Sequence, residues 1–405
     1  MVQADLFEAI EEAYIENDGK LSQGKLYENV AQKMNVDPDK HYGRVGKQDG
    51  VNLFYRKVRW CQQSMKAKKL LVNVGRGVWE LAGTARQKLH QIKQAKSVIA
   101  MSTSLGVVIC SKSEQVFGND IITEDIDLVL TSPPYLLREA RAYGGPQAER
   151  EWVDFIMGVM TKIIPRLSDG ASIALNVGVD SFIQGMPARH THIERLVIAM
   201  TDLDLYLVDR IVWGSNKAPG PYMWTSENRF LMTNSYEFVL WFTNNPLKLQ
   251  SNNQRILVPH TEQHKKFVLS GGTKKAAVNS DGAHRKRPGA YSNTDLSKGK
   301  LQTNYLYVGN RCVRNEKVNK YARENGLPVH GAKFPYKLAE KLVRFFVPEG
   351  AFVVDPFGGT ATVGEACEEN NRRFAIIEPI FEYVKQSFVR FRTLTDDIWI
   401  NPLFA

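Results

Sequence analysis

The sequence predicts an α/β protein with a mostly parallel, doubly wound sheet, preceded by a small helical domain and interrupted by a basic insert. Three observations predict this class. Hydrophobic strands alternate with amphipathic helices beyond residue 100, which is typical of a parallel sheet with helices on both faces. Three helical patterns and a short hairpin come before them. The positive charge surplus lies in one segment late in the chain.

The chain has 405 residues, a net charge of +10 and four cysteines. This length suits two or three domains. The cysteines form no CxxC pair, so the sequence indicates neither a disulfide framework nor a Cys-rich zinc site, and no metal is expected. The amino terminus lacks the basic start of a signal peptide, and no stretch approaches the ~18 apolar residues of a membrane span. We therefore expect a cytoplasmic protein.

Residues 1–85 read as three amphipathic helices and a hairpin, in which LLVNV and VWEL are joined by a turn at 75–77. The inward-facing residues are Leu6, Ile10 and Tyr14, then Leu26, Val30 and Met34, then Phe54, Val58, Cys61 and Met65. This order resembles the winged-helix domain at the amino terminus of Mrr-type restriction proteins. The resemblance implies that the third helix contacts DNA through Arg56 and Arg59, with a domain used only for dimerisation as the alternative. Residues 86–99 are expected to form a linker.

Two motifs follow predicted strands. DIDLVL ends in Thr131-Ser132-Pro133-Pro134-Tyr135, and GAFVVDPFGGTATVGEA (350–366) reads as strand, tight turn and helix. Ligands bind at the carboxyl ends of parallel strands. Gly358 and Gly359 would let the backbone pass close to a ligand, and Thr360 could cap the helix.

A further strand, RRFAIIE, ends at Glu378, which is 23 residues after Asp355. An acid about 20 residues after a glycine turn is the ribose-binding arrangement of nucleoside cofactor sites. A dinucleotide site would instead have GxGxxG and several amides facing phosphates. A carboxylate at the entrance of the turn suits a cofactor with a cationic amino-acid end and no phosphates. S-adenosylmethionine fits this description.

Taken in order, T-S-P-P-Y, HGAKFPYKLAEKLV (330–343) and D-P-F-G-G-T resemble the DNA amino-methyltransferases with the permuted, beta-type motif order, over 105–244 and 328–392. The resemblance implies a Rossmann-like methyltransferase domain, with a catalytic half at 100–244 and a cofactor-binding half at 327–395. It implies catalytic roles for Ser132, Pro133, Pro134 and Tyr135. The implied S-adenosylmethionine contacts are Lys333, Phe334, Pro335, Asp355, Pro356, Phe357, Gly358, Gly359, Thr360 and Glu378.

The motif suits methylation of an exocyclic base amine, whose lone pair is delocalised into the ring. The Ser132 hydroxyl and the Pro133 carbonyl would accept the amine hydrogens and draw that lone pair back onto nitrogen. Tyr135 would stack on a base flipped out of the duplex. Family members with Ser at the first position are more often cytosine-N4 enzymes, so cytosine N4 is favoured and adenine N6 is the alternative.

The segment 245–326 carries sixteen Lys or Arg residues and five acidic residues, which accounts for the whole positive surplus. It is poor in helical or strand periodicity, so a solvated loop is one interpretation. The resemblance instead places the target-recognition region here, which implies DNA contacts by Arg285, Lys286, Arg287 and Arg311. Double-stranded DNA is then the expected partner, in the nucleoid and within a restriction-modification context. Whether the protein is a monomer or a homodimer is open.

Other functions stay open on sequence alone. Methylation of RNA or of a protein glutamine is a second enzyme class, although those relatives usually carry Asn-Pro-Pro-Tyr. A winged-helix regulator with an inactive methyltransferase-like domain is a third hypothesis. No convincing nuclease motif is present, so DNA cleavage is not predicted. The family's Gly-Asp pair has no clear counterpart in ICSKSEQVFGND, which leaves the contact to the cofactor's adenine unassigned.

Overall fold

The computed structural model has two compact units, formed by residues 1–88 with 326–328 and by residues 89–325 with 329–405. The residues it describes are 6, 9–10, 13–14, 17, 20–45, 48–67, 71–81, 96–136, 146, 148–216, 223–274, 277–278, 285–286 and 289–404. Among these, no helix is both long and apolar enough to cross a membrane.

The first unit is built from helices and a three-stranded antiparallel sheet of order β1-β5-β4. Residues 6, 9–10 and 13–14 are helical. The elements that follow are β1 (Lys20–Ser22), α1 (Gln23–Lys33), β2 (Tyr42–Val45), β3 (Gln48–Asn52), α2 (Leu53–Ala67), β4 (Leu71–Gly75) and β5 (Val78–Leu81). The predicted inward residues are buried, except that Met34 is partly exposed. The β2–β3 hairpin between the second and third helices was not predicted. The strand order agrees with a winged helix, which remains a prediction.

The second unit contains a ten-stranded sheet of order β16-β10-β11-β9-β8-β17-β18-β7-β6-β19. Its central strands, from β9 to β7 in that order, are mutually parallel. The strands are β6 (Val98–Thr103), β7 (Gly106–Cys110), β8 (Ile126–Thr131), β9 (Leu167–Val177), β10 (Tyr206–Gly214), β11 (Tyr236–Thr243), β16 (Tyr305–Tyr307), β17 (Phe352–Asp355), β18 (Arg373–Glu378) and β19 (Ile398–Ile400). This sheet confirms the predicted α/β class.

Helices cover both faces of the sheet because alternate side chains of the central strands enter two different cores. In β18, Phe374 and Ile376 belong to one core, whereas Ala375 and Ile377 belong to the other. The first core is completed by α8 (Tyr336–Phe346), α9 (Thr362–Glu369) and α10 (Phe381–Phe391), and the second by α3 (Ser113–Gly118), α4 (Glu149–Ile163) and α5 (His192–Thr201).

The segment 245–326 contains more regular structure than its composition predicts. It includes α6 (Glu262–Leu269), the edge strand β16, α7 (Val313–Glu324) and four two-residue strands, β12 (Thr273–Lys274), β13 (Ala277–Val278), β14 (Arg285–Lys286) and β15 (Gly289–Ala290). Helix α7 is polar overall, but it buries Val318 and Ala322. The interpretation of this segment as a solvated loop is therefore wrong for α6 and α7. At the other end, β19 extends the sheet beyond the predicted boundary at residue 395.

Candidate functional site

The carboxyl ends of four neighbouring parallel strands meet at one edge of the sheet. Ser132–Tyr135 follow β8, the glycine turn follows β17, Glu378 ends β18, and Lys112–Glu114 follow β7. Two cavities open at this edge, and both are lined by Ser132 and Tyr135. The structure therefore brings the two predicted motifs to one place, although 220 residues separate Tyr135 from Asp355.

The glycine-turn cavity has a volume of about 260 Å³. Its walls combine polar groups with aromatic rings, which suits a ligand that has both a charged end and a flat apolar part. The lining residues are Lys112, Ser113, Glu114, Ser132, Pro133, Pro134, Tyr135, Phe155, His330, Ala332, Pro356, Phe357, Gly359, Glu378, Pro379, Ile380 and Tyr383. Lys112–Glu114 come from the stretch in which the sequence left the adenine contact unassigned.

Glu378 is held at the wall of this cavity by two backbone amides. Its Oε2 accepts a hydrogen bond from the Gly359 amide at 2.8 Å, and its Oε1 accepts one from the Ile380 amide at 2.9 Å. Burial raises the pKa of this carboxyl to about 8. The fixed orientation agrees with the predicted role in holding the hydroxyls of a ribose.

Asp355 lies beneath the turn and is not among the residues that line the two cavities. Its Oδ1 accepts hydrogen bonds from the Thr131 hydroxyl at 2.6 Å and from the Phe357 amide at 3.1 Å. Burial raises its pKa to about 7. These contacts, both made by Oδ1, tie the end of β8 to the end of β17 and so fix the two motifs relative to each other; the predicted contact of Asp355 with the cofactor stays a prediction.

The glycine turn differs in detail from its prediction. A Cβ at Gly358 would overlap Ile376 of β18, so this glycine serves the packing of the turn on the sheet, whereas Gly359 has a left-handed φ of 51° and lines the cavity. Thr360 does not cap the helix. The N-cap of α9 is Ala361, and the Thr360 oxygens instead accept hydrogen bonds from the buried Arg390 guanidinium.

The second cavity, here called the Glu237 cavity, has a volume of about 450 Å³ and is rich in carboxylates and amides. Its lining residues are Ser132, Tyr135, Leu136, Gly178, Asp180, Trp213, Glu237, Asn310, Cys312, Asn315, Glu316, Asn319, His330, Gly331, Ala332, Lys333 and Phe334. Ser132, Tyr135, His330 and Ala332 border both cavities, and Ser132 with Tyr135 is here called the partition.

Tyr135 is fixed in this partition from three sides. Its hydroxyl donates a hydrogen bond to Glu237 Oε2 at 2.6 Å and accepts one from Asn176 Nδ2 at 2.9 Å. Its ring lies against Gly178, where a Cβ would come within 3.1 Å of it. Asn176 also donates to Glu237 Oε2 at 2.9 Å. Sequence reasoning missed Asn176, which lies near the carboxyl end of β9, and Glu237, which lies near the start of β11.

The rest of the tetrapeptide is also held in place. The Ser132 hydroxyl lies 3.4 Å from the Tyr135 hydroxyl and 3.5 Å from the Asn176 carbonyl, to either of which it can donate. The Pro134 carbonyl accepts a hydrogen bond of 2.7 Å from the Trp152 indole. Proline restricts the backbone, so the direction of the Pro133 carbonyl is fixed.

The segment before α8 reaches the site through the predicted Lys333 and Phe334 and also through His330 and Ala332. His330 and Ala332 line both cavities, whereas Lys333 and Phe334 line the Glu237 cavity only. Pro335 lines neither; it is the N-cap of α8 and accepts hydrogen bonds from the amides of Leu338 and Ala339. Burial lowers the pKa of Lys333 to about 8.

Residues 126–389, more than half of the chain, match the model of a protein family described as DNA methylase. The chain belongs to this DNA methylase family. The matched residues include both motifs and Glu378 but not β7 or Lys112–Glu114, and the match confirms the expected DNA amino-methyltransferase. A chain of this family needs a methyl donor, which supports the expectation of S-adenosylmethionine.

Comparison with known proteins supports the same conclusion. The DNA methylase is 27% identical over 274 residues to the type II methyltransferase M.PvuII of Proteus hauseri, which covers 66% of this chain and 78% of that protein. A solved structure titled PvuII DNA methyltransferase (cytosine-N4-specific) aligns with a TM-score of 0.54 and 24% identity, over 72% of this chain and 87% of that chain. The structural match shows a shared fold.

The predicted DNA contacts of the methylase fall in three places. Arg56 and Arg59 are exposed on α2, where Arg59 donates to the Tyr27 hydroxyl at 3.1 Å. Arg311 is exposed next to Asn310 of the Glu237 cavity. Arg287 and the side chains of Arg285 and Lys286 lie outside the described residues. Within the described part of the chain, no group of three or more His, Cys, Asp or Glu residues is placed to hold a metal ion.

We expect the ligand-free methylase to lose stability as the pH rises from about 4 to about 8. The pKa of Asp355 is raised from 3.8 to about 7 and that of Glu378 from 4.5 to about 8, both mainly by burial. In this window the unfolded chain has released protons that the folded chain still binds, so the free energy of unfolding decreases as the pH rises. Thermal unfolding measured across this pH range gives the slope of the free energy of unfolding against pH. Asp355→Asn should make the slope shallower, and an unchanged slope would contradict this origin.

Proposed function

We propose that this DNA methylase transfers a methyl group from S-adenosylmethionine to N4 of a cytosine that has been flipped out of double-stranded DNA. The observation that carries the proposal is the partition formed by Ser132 and Tyr135 between two cavities. A methyl donor on one side and a base amine on the other would meet at this tetrapeptide. The similarity to M.PvuII, whose solved counterpart is titled cytosine-N4-specific, favours cytosine.

The glycine-turn cavity fits S-adenosylmethionine in its chemistry. Glu378 has a carboxylate oriented by two amides, suited to ribose hydroxyls, and Phe155, Phe357 and Tyr383 offer aromatic surface for an adenine ring. Lys112 and Ser113 add polar groups from the end of β7. When bound, the cofactor supplies an electrophilic methyl group on a positively charged sulfur. The protein's part is to hold that group in line with the acceptor nitrogen.

The Glu237 cavity would take the flipped base. Its amide and carboxylate groups can hydrogen-bond the polar edge of a nucleobase, and the ring of Tyr135 offers a surface for stacking. The Ser132 hydroxyl and the Pro133 carbonyl would accept the two hydrogens of the exocyclic amine. Because the amine lone pair is then less delocalised in the transition state, the nitrogen becomes a better nucleophile.

Methylated plasmid DNA is expected to contain N4-methylcytosine. The enzyme would be incubated with unmethylated plasmid and S-adenosylmethionine, and the nucleosides would be quantified by mass spectrometry, with RNA and cofactor-free reactions as controls. N6-methyladenine without N4-methylcytosine would overturn the cytosine proposal but keep the mechanism. Methylation of RNA but not of plasmid would overturn the DNA substrate, and no transfer at all would favour the regulator hypothesis.

DNA contacts are proposed along a basic cleft of about 790 Å³ that meets the Glu237 cavity at Cys312. Glu340 is the acidic residue of its lining, and the basic residues are Arg255, Lys298, Arg311, Arg314, Lys337, Lys341 and Arg344. Glu365 and Glu369 neutralise Arg314, whereas Arg311 and Lys337 are exposed and well placed for phosphates. The proposed contacts of Arg285, Lys286 and Arg287 would extend this surface.

The double substitution Arg311→Gln and Lys337→Gln should weaken DNA binding and lower the slope of log K against log salt by about two, since each lost phosphate contact lowers it by about one. Fluorescence anisotropy with duplex DNA between low and moderate salt measures this slope. Lys162→Gln is the matched control, because this exposed lysine lies in the last turn of α4 on the opposite face of the sheet. An unchanged slope in the double variant would mean that the cleft does not bind DNA.

We also propose that the first unit contacts DNA through Arg56 and Arg59 on α2. The alternative is a unit that only joins two copies into a homodimer. Replacing both arginines with Gln separates these two roles. If the arginines contact DNA, the variant should bind DNA more weakly while the molar mass of the protein in solution stays the same. Light scattering gives the molar mass, and unchanged binding by a dimeric protein would favour the alternative.

A further inference from the structure

The hydroxyls at the partition form a directed chain of hydrogen bonds that ends on a carboxylate. Ser132 Oγ lies 3.4 Å from the Tyr135 hydroxyl, which in turn lies 2.6 Å from Glu237 Oε2. Glu237 stands at the second position of β11, is buried, and lines the cavity that would take the base. An ionised carboxylate only accepts hydrogen bonds, so the Tyr135 proton points towards Glu237.

The direction of donation in this chain of hydrogen bonds also holds at Ser132. Asn176 Nδ2 lies 2.9 Å from Glu237 Oε2, 2.9 Å from the Tyr135 oxygen and 3.4 Å from Ser132 Oγ, so its two hydrogens are shared among acceptors at this junction. The Ser132 proton is then directed inward, to Tyr135 or to the Asn176 carbonyl. A lone pair of Ser132 remains for an amine hydrogen from the cavity side.

We propose that Glu237 is a positioning residue, which sets the direction of these hydroxyls and receives the proton that the amine loses. This inference rests on the proposed function, but it holds for either base.

The step balances without a further reactant. The amine nitrogen bonds to the methyl carbon as the carbon–sulfur bond breaks, so that sulfur keeps that electron pair and the nitrogen is left with one surplus proton. This proton passes to Ser132 Oγ, the Ser132 proton passes to the Tyr135 oxygen, and the Tyr135 proton passes to Glu237. Glu237 ends as a neutral carboxylic acid and returns its proton to water after the product leaves.

The proposal predicts how the rate depends on pH. Protonated Glu237 cannot accept the Tyr135 proton, so the single-turnover rate should fall on the acidic side. The other titratable groups lining the cavity are Tyr135, Asp180, Cys312, Glu316, His330 and Lys333, and they are unchanged in a Glu237 variant. The fall in rate at low pH is here called the acidic limb. If this limb disappears when Glu237 alone is replaced, it is assigned to Glu237.

Glu237→Gln is the decisive variant, because it keeps the size of the side chain. We expect its single-turnover methylation rate to fall by about 10–100-fold, in the lower range of general acid–base contributions, with KM for S-adenosylmethionine unchanged and the acidic limb lost. Glu151→Gln, an exposed carboxylate on α4, is the control and should keep the wild-type rate and profile. Circular dichroism would verify the fold of each variant.

Tyr135→Phe provides a second route, since it interrupts the chain without removing a carboxylate. It should also lose the acidic limb, and it decides the matter if Glu237→Gln does not fold. A wild-type rate in Glu237→Gln would overturn the inference. So would slow variants that retain the acidic limb, because they would indicate only a packing role. If the wild-type protein methylates adenine, only the target-base proposal fails; if it methylates no nucleic acid, the proposed function and this inference fail together.

Discussion

Replacing Ser132 with alanine is expected to lower kcat by about 10²–10³-fold, the range found when one preorganised polar group is removed from a transition state. Ser132 lines both cavities at the partition, and its hydroxyl is held by Tyr135 and Asn176. Alanine would remove one of the two acceptors proposed for the amine hydrogens. The amine lone pair would then stay delocalised into the base ring.

The loss should appear in the chemical step and not in binding. Single-turnover methylation of plasmid measures the step, while calorimetry with S-adenosylmethionine and anisotropy with DNA should give wild-type affinities. Ser168→Ala is the matched control, because Ser168 lies at the start of β9 and contacts Asp127, at the edge of the sheet opposite the cavities. A variant that keeps its rate would remove Ser132 from the mechanism. A variant that loses affinity for S-adenosylmethionine instead would make Ser132 a cofactor contact.

The sequence predicted those parts of the site that follow from local pattern. LVL in DIDLVL and FVV in FVVD are short apolar runs, as buried parallel strands require, so both motifs could be placed at strand ends. The rule that ligands bind at the carboxyl ends of such strands then brought Ser132 and Glu378 to one edge. The structure bears this out, since both residues line the glycine-turn cavity.

The site residues that the sequence did not predict depend on how strands far apart in the sequence pair. Asn176 and Glu237 come together because β11 pairs with β9, in a register that sets Phe238 opposite Val177, and local pattern does not encode this pairing. Thr131 and Asp355 meet because β17 lies beside β8. The hydrophobic pattern did not predict α7, because its surface is polar and Val318 and Ala322 are the apolar residues of its buried face. Likewise, the motif alone predicts a ligand contact for Gly358, whereas a Cβ at this position would overlap Ile376.

Glu378→Gln is expected to weaken S-adenosylmethionine binding by about 10–100-fold, since hydrogen bonds to a charged group contribute ~1.5–3 kcal/mol each. Gln can still accept from one amide, but it must turn an NH₂ group towards the amide of Gly359 or Ile380, both of which now donate to Glu378. The side chain would therefore lose its fixed orientation as well as its charge. Isothermal titration calorimetry measures the dissociation constant.

The pH dependence of this affinity separates a direct contact from a general loss of structure. Burial raises the pKa of Glu378 to about 8. If ribose hydroxyls donate to the carboxylate, they favour its charged form, so wild-type binding should tighten and release protons as the pH rises from 7 to 9. The Gln variant should show no such dependence at this site.

Asp355→Asn tests whether Asp355 supports the turn while Glu378 contacts the cofactor. Asp355 is bonded to Thr131 and to the Phe357 amide beneath the turn, so we expect this variant to unfold at a lower temperature but to bind S-adenosylmethionine within a few-fold of wild type. The opposite result, lost binding in Asp355→Asn with normal binding in Glu378→Gln, would contradict this view. It would mean that the carboxylate of Asp355 reaches the methionine amine directly, as the motif alone suggests, and that Glu378 only supports the turn.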